Sequence, residues 1–113
     1  MKLYIGGAYQ GQNELAQQEN PGAQFYLDFH EVIRSMTETD GLEPVAFAER
    51  FCREHPEAVI TANEVGAGVV PIAAEDRAFR EAAGRVLCVI AQNAEQVTRC
   101  ICGIGVRIKC AGF

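Results

Sequence analysis

No apolar run in this sequence approaches the roughly 18 residues that a membrane span requires. The longest comparable stretch, Val86 to Ala91, suits a buried helix segment. Basic residues are also scarce. Ten Lys and Arg stand against fifteen Asp and Glu, for a formal net charge of −5. Such a surface repels phosphate backbones, which argues against general nucleic-acid binding and leaves only local anion sites at glycine loops and helix N-termini. The cysteine count is odd, with Cys52, Cys88, Cys100, Cys102 and Cys110. No secretory leader precedes Met1-Lys2-Leu3-Tyr4-Ile5, so the expectation is a reducing, cytoplasmic setting with free thiols, several buried as small hydrophobes. Alternation would put Cys100 and Cys102 on one face of a strand. With no matching pair elsewhere, that spacing falls short of a zinc site. There is no internal repeat and no low-complexity tract, and the only histidines are His30 and His55.

What the chain does contain is ordinary for a globular fold, with 49% hydrophobic and 22% charged residues. Its 113 residues suffice for one domain, 1–113, and are too few for two. Leu3 to Ile5 forms a short apolar strand stopped by Gly6-Gly7, and Glu14 to Glu19 are good helix formers ended by Asn20-Pro21-Gly22. Ala23 to Phe29 reads as a second strand, and His30 to Thr37 as a helix, followed by a turn at Asp40-Gly41. Glu43-Pro44 opens a helix carrying Val45, Phe47, Ala48, Phe51 and Cys52, which His55-Pro56 ends. Ala58 to Ala62 is apolar on both faces, as a covered parallel strand should be, and leads into a glycine-bearing loop from Asn63 to Pro71. The longest helix is expected from about Ala74 to Ala94, with Gly84 marking close approach of another backbone. Gln96 to Cys102 is a further strand, and Val106 to Cys110 extends it or adds an edge. Strands alternating with helices in this way predict an α/β fold with a parallel sheet and covering helices.

Two segments carry chemistry. Gly6-Gly7-Ala8-Tyr9-Gln10-Gly11-Gln12-Asn13 lies between a strand and a helix, with Gly6 and Gly11 at the separation a phosphate loop requires. Such loops place Lys against the β/γ-phosphates and a hydroxyl on Mg²⁺; here Gln12 and Asn13 hold those positions. Gln12 can donate a hydrogen bond but brings no charge, and Asn13 offers a carbonyl oxygen. The second segment, Asn63-Glu64-Val65-Gly66-Ala67-Gly68-Val69-Val70-Pro71, follows a strand and precedes Arg77 and Arg80 on the next helix. A polar Asn63-Glu64 pair at the carboxyl end of a parallel strand sits where α/β sheets bind ligands. Gly66 allows close backbone approach, and the two arginines lie within reach of an anion. His30 and His55 read as structural or solvated.

The stretch from Val59 to Gly84 resembles the Asn-Glu-Val-Gly-x-Gly-Ile-Val-Pro segment and following Arg-x-Phe-Arg-Asp-x-x-Gly helix of the adenosylcobinamide kinase/guanylyltransferase family. Gly6, Gly7 and Gly11 resemble that family's Gly-Gly-x-Arg-Ser-Gly-Lys-Ser loop, and Asp28 its metal-assisting Asp. Val97, Gly103, Ile104, Val106 and Lys109 resemble its last strand. The resemblance implies a shortened, three-layer, P-loop NTPase-like fold working in cobalamin biosynthesis or corrinoid salvage. It implies GTP or ATP with Mg²⁺ at Gly6, Gly7, Gly11, Gln12 and Asn13, with Asp28 as the Mg²⁺ residue. A candidate metal or substrate site would comprise Asp28, Asn63, Glu64, Gly66, Arg77 and Arg80. A corrinoid partner and a homo-oligomer are implied as well. The loop Lys and the guanylyl-accepting histidine have no counterpart here, so the alternative is a non-catalytic relative that binds a nucleotide or corrinoid, or acts as an oligomeric interaction protein.

Overall fold

The computed structural model describes residues 1–37, 43–64 and 74–110. Its elements, in chain order, are β1 (Lys2–Gly6), α1 (Gln12–Glu19), β2 (Gln24–Tyr26), α2 (Phe29–Thr37), α3 (Pro44–Glu54), β3 (Ala58–Asn63), α4 (Ala74–Asn93), β4 (Gln96–Ile101) and β5 (Ile104–Cys110). The strands form one sheet in the order β2-β3-β1-β4-β5. The first four run parallel, and β5 pairs antiparallel with β4. Gly6, the last residue of β1, stands opposite Asn63 on one side and Cys100 on the other.

Alternation along the central strands divides the core between two faces. Leu3, Ile60, Ala62 and Val97 pack with Phe29, Ile33, Phe51, Phe79, Val86 and Ile90 under α2, α3 and α4. Tyr4, Val59 and Cys100 meet Ala16 of α1 on the other face. Helix, sheet and helices thus make the three layers of the expected α/β fold, its sheet parallel except for β5. Ala58 to Ala62 are buried without a break, which explains why β3 reads as apolar on both sides.

Local chemistry sets the ends of the elements. The Glu43 carboxylate accepts from Val45 N at 3.2 Å and Ala46 N at 2.6 Å, capping α3 ahead of Pro44. Lys109 Nζ donates to Ala91 O at 2.9 Å and Gln92 O at 2.8 Å, so the last turn of α4 is closed by a cation from β5.

Four expectations are corrected. The second strand ends at Tyr26 instead of running to Phe29, because Asp28 adopts φ 55° and turns the chain into α2. Its N–H donates to Thr61 Oγ1 at 2.9 Å, and its carbonyl accepts from Glu31 N at 2.9 Å. Cys102 is not on a strand face with Cys100. It and Gly103, at φ 51° and 78°, form a two-residue hairpin turn of the kind that matches strand twist. Cys100 is the one fully buried thiol among the five. Cys52 is half-buried, and Cys88, Cys102 and Cys110 are exposed. Around Gly84, no described atom lies within 4 Å of where a Cβ would sit, so no backbone of another described element approaches it closely. The Asp40-Gly41 turn and most of the loop after Asn63 lie outside the described residues. Among the described residues no helix is long and apolar enough to cross a membrane.

Candidate functional site

The loop after β1 takes its shape from close contacts on both flanks. A Cβ on Gly6 would come within 2.7 Å of Cys100 O, so glycine is what allows β1 and β4 to stay paired there. Gly11, at φ 87°, begins α1 with no side-chain cap, and a Cβ on it would lie 3.2 Å from Gly103 Cα. Gln10 binds the hairpin turn twice, accepting from Gly103 N at its carbonyl (2.9 Å) and from Cys102 N at Oε1 (2.7 Å).

Gln12 is turned inward and is 5% exposed. Its Nε2 donates to Asn63 Oδ1 at 2.9 Å and Gly7 O at 3.1 Å, with Gly6 O and Ala62 O each at 3.4 Å. All four neighbours are acceptors, which fixes the orientation of the amide. Its Oε1 is buried with no hydrogen-bond partner among the described residues, a position that costs about 1–3 kcal/mol. Asn13 is engaged too. Its Nδ2 donates to Asp28 Oδ1 at 3.1 Å and its Oδ1 accepts from the Thr61 hydroxyl, which in turn accepts from Asp28 N. The Asn63 N–H donates to His30 Nδ1 at 3.0 Å, so that nitrogen carries a lone pair. The proton of the neutral ring is therefore on Nε2, which lies 3.4 Å from Glu31 Oε1.

These groups surround a cleft of about 390 Å³ at the carboxyl end of β1 and β3. Ala8, Tyr9 and Gly11 of the loop, Gln12, Asn13 and Glu14 of α1, Asp28, His30 and Glu31 around the start of α2, and Asn63 of β3 line it. Three of these are carboxylates, and no described Lys or Arg is among them. The cleft is therefore acidic, a poor setting for an unneutralised polyphosphate.

The structure brings together Gly11, Gln12, Asn13, Asp28 and Asn63, five of the sequence candidates. Gly6 and Gly7 lie behind them as acceptors for Gln12. Glu64 is directed elsewhere: its carboxylate pairs with Arg99 Nε at 3.0 Å, and its N–H donates to Gly6 O at 2.7 Å. Arg77 and Arg80, on α4, are not among the cleft-lining residues, and Gly66 lies outside the described residues. Among the described residues no cluster of three or more His, Cys, Asp or Glu could hold a metal ion by itself. Sequence reasoning missed Thr61, Glu14, Glu31 and above all His30, read as structural yet set in the cleft wall. Its signal was the spacing Asp28-x-His30-Glu31 where a strand gives way to a helix.

Behind the loop, a polar network fastens α1 to the sheet. Tyr4 OH donates to Glu19 Oε1 at 2.6 Å, and Arg107 Nη2 reaches the same oxygen at 2.6 Å. Asn20 Nδ2 donates to Tyr4 OH at 3.0 Å. Burial, then the Glu19 carboxylate, pushes the Tyr4 hydroxyl above its ordinary pKa. Burial also pushes Glu19 upward, but the Tyr4 hydroxyl and Arg107 guanidinium outweigh it and hold the carboxyl below its usual range.

The profile of a family described as cobinamide kinase / cobinamide phosphate guanyltransferase matches residues 12–108. Two relatives, each named bifunctional adenosylcobalamin biosynthesis protein CobU, are similar over 59 residues at 44% identity. One is from Escherichia coli (strain K12), the other from Salmonella typhimurium (strain LT2). The matched stretch covers 51% of this chain and 33% of each relative.

Proposed function

The chain belongs to the cobinamide kinase / cobinamide phosphate guanyltransferase family, and from that premise we propose that it serves cobalamin biosynthesis by binding a nucleotide without efficient phosphoryl transfer. One observation carries this reading. The side chains at the phosphate-reaching and metal-reaching positions, Gln12 and Asn13, are both engaged within the protein, while the cleft beside them stays open. Phosphoryl transfer depends on cationic groups aimed at developing charge, and neither an amide nor a carboxylate supplies that. GTP or ATP is the nucleotide class that the family suggests, and adenosylcobinamide is the corrinoid partner to test.

Asp28 suits a Mg²⁺ that arrives with its phosphates, because such ions use one or two carboxylates and keep several waters. When bound there, the ion would neutralise phosphate charge. The Asp28 carboxylate would hold it, and Thr61 would keep the Asp28 backbone in its turned conformation. The cytoplasm, where free thiols persist, is the compartment that suits five unpaired cysteines.

A second reading, as an oligomeric interaction protein, is favoured by the exposed apolar residues Ile101, Ile104, Val106 and Ile108 around the outer strand. Titration calorimetry with GTP and ATP plus Mg²⁺, with and without adenosylcobinamide, separates the two. Saturable micromolar binding with negligible turnover supports nucleotide binding. Rapid phosphate transfer overturns the non-catalytic part. Silence up to millimolar nucleotide, with a dimer or larger species in solution, favours the oligomeric role.

A further inference from the structure

We propose that the outer edge of β5 docks a second copy of this chain, paired antiparallel about a two-fold axis through Val106. The proposal rests on the oligomeric reading above, to which it gives a surface, a partner and a register. It does not depend on the cleft.

β5 is the last strand of the sheet, and among the described residues nothing pairs with its outer side. All seven of its residues, Ile104 to Cys110, are exposed. Natural sheets blunt such an edge with free charges, short strands or bulges. Here both cations of the strand are engaged within the subunit. Arg107 Nη2 meets Glu19 Oε1 at 2.6 Å, and Lys109 Nζ meets Ala91 O and Gln92 O at the end of α4. The register shift, opposite Val97 and Thr98, falls beyond Arg107, so Ile104 to Arg107 stay regular. The side chains left bare are apolar: Ile104, Val106 and Ile108 are 68%, 49% and 59% exposed.

The occupant follows from backbone direction and charge. Ile101 and Ile104 close a two-residue turn by bonding each other, and alternation then directs the Val106 backbone groups toward β4 as well. The N–H and C=O groups of Gly105 and Arg107 therefore point outward. An antiparallel copy satisfies them when outward residues face one another, which requires an axis at Gly105, Val106 or Arg107. An axis at Arg107 sets like charges directly opposite, which is unfavourable. An axis at Gly105 places Arg107 against Gly103, which lies in the turn at φ 78° and does not continue the strand. An axis at Val106 has neither defect. Gly105 and Arg107 then exchange bonds with Arg107 and Gly105 of the second copy, so each of these cations faces a glycine. Val106 meets its own counterpart in a closely spaced pair, and Ile104 lies toward Ile108. The strand is thus complementary to itself in backbone, charge and apolar surface. A contact of this length is at the small end of protein interfaces, which sets the dimer in the micromolar range.

Sedimentation equilibrium on the intact chain tests this, with thermal melts to confirm that each variant folds. The wild type should dimerise at micromolar concentration. Val106→Lys and Val106→Glu alter a half-exposed side chain, and each should weaken the dimer at least about tenfold by placing like charges opposite. Mixing the two variants should restore it, because the axis then sets Lys against Glu. Should either fail to fold, Val106→Cys in a Cys88→Ser/Cys102→Ser/Cys110→Ser background should cross-link copies on diamide treatment. Ile104→Cys, off the axis, should not. A chain that stays monomeric throughout the micromolar range would overturn both this proposal and the oligomeric reading. A dimer or larger species that both charged variants leave intact would overturn the β5 contact alone, as would a mixture that stays monomeric.

Discussion

Asn13 donates its side-chain amide to the Asp28 carboxylate at 3.1 Å, joining the first helix to the turn that opens the second. On the nucleotide-binding reading proposed above, the contact takes the place of a hydroxyl and a metal ion. It therefore holds the cleft in a self-satisfied state: an amide neutralises part of what a cation would otherwise meet. Strengthening a triphosphate site there means replacing that contact and the Gln12 lock together.

The double change Gln12→Lys/Asn13→Ser should accordingly raise affinity for Mg²⁺-GTP by about tenfold or more, the scale of one charge-assisted contact. Calorimetry on the two proteins measures this directly. Equal affinities would mean that the loop's shape, and not its chemistry, limits the affinity.

Acid stability should depend on Glu19. Its folded-state pKa is depressed, so the stabilisation is fully present above the unfolded value and is lost as pH falls through the folded one. Glu19→Gln should lose roughly 1–2 kcal/mol at neutral pH, as expected for hydrogen bonds to a partly exposed charge, and should unfold with a shallower acid limb. Urea unfolding at pH 7 and pH 3 reads both effects. A variant whose loss is equal at the two pH values would contradict the role given to the ionised carboxylate.

Two glycine substitutions should move stability in opposite directions. Gly6→Ala drives a methyl toward Cys100 O, a backbone atom that cannot swing aside, and should cost about 1–3 kcal/mol. Gly84→Ala, in the middle of α4 with open space around it, should add about 0.5–1 kcal/mol. Thermal melts of the pair suffice. Destabilisation by Gly84→Ala would restore the close backbone contact expected from sequence.

Thiol labelling of the native protein should proceed in two stages. Cys88, Cys102 and Cys110 are exposed and should react at once with an aromatic disulfide reagent. Burial pushes the pKa of Cys52 and Cys100 up, and these should react only on unfolding. Prompt labelling of Cys100 would show that α1 does not stay on the sheet.

Much of this architecture was legible. Apolar runs bounded by Asn20-Pro21-Gly22 and His55-Pro56 placed the early helices and strands, and the uninterrupted burial of Ala58 to Ala62 follows from its composition. Gly6, Gly11, Asp28 and Asn63 were also marked as belonging to a ligand end of the sheet, and they converge there. The misses share a cause. Asp28 and Cys102 take left-handed backbone angles, which Asp adopts only occasionally and Cys rarely, and each ended a strand earlier than its apolar pattern suggested. His30 looked isolated because its partner, the backbone N–H of Asn63, lies 33 positions away, and no spacing rule connects them. Gly84 was misread because helix packing can leave a glycine facing empty space.

The grip of Gln10 on the turn at Cys102 and Gly103 has a kinetic consequence. That contact joins positions 92 apart. The Gln10 end of the loop after β1 therefore settles when the outer hairpin docks, a long-range closure of the kind that slows folding. During refolding, a fluorescent reporter on the loop should lag behind one in the β1–β3 core, making the cleft the last part of the molecule to mature.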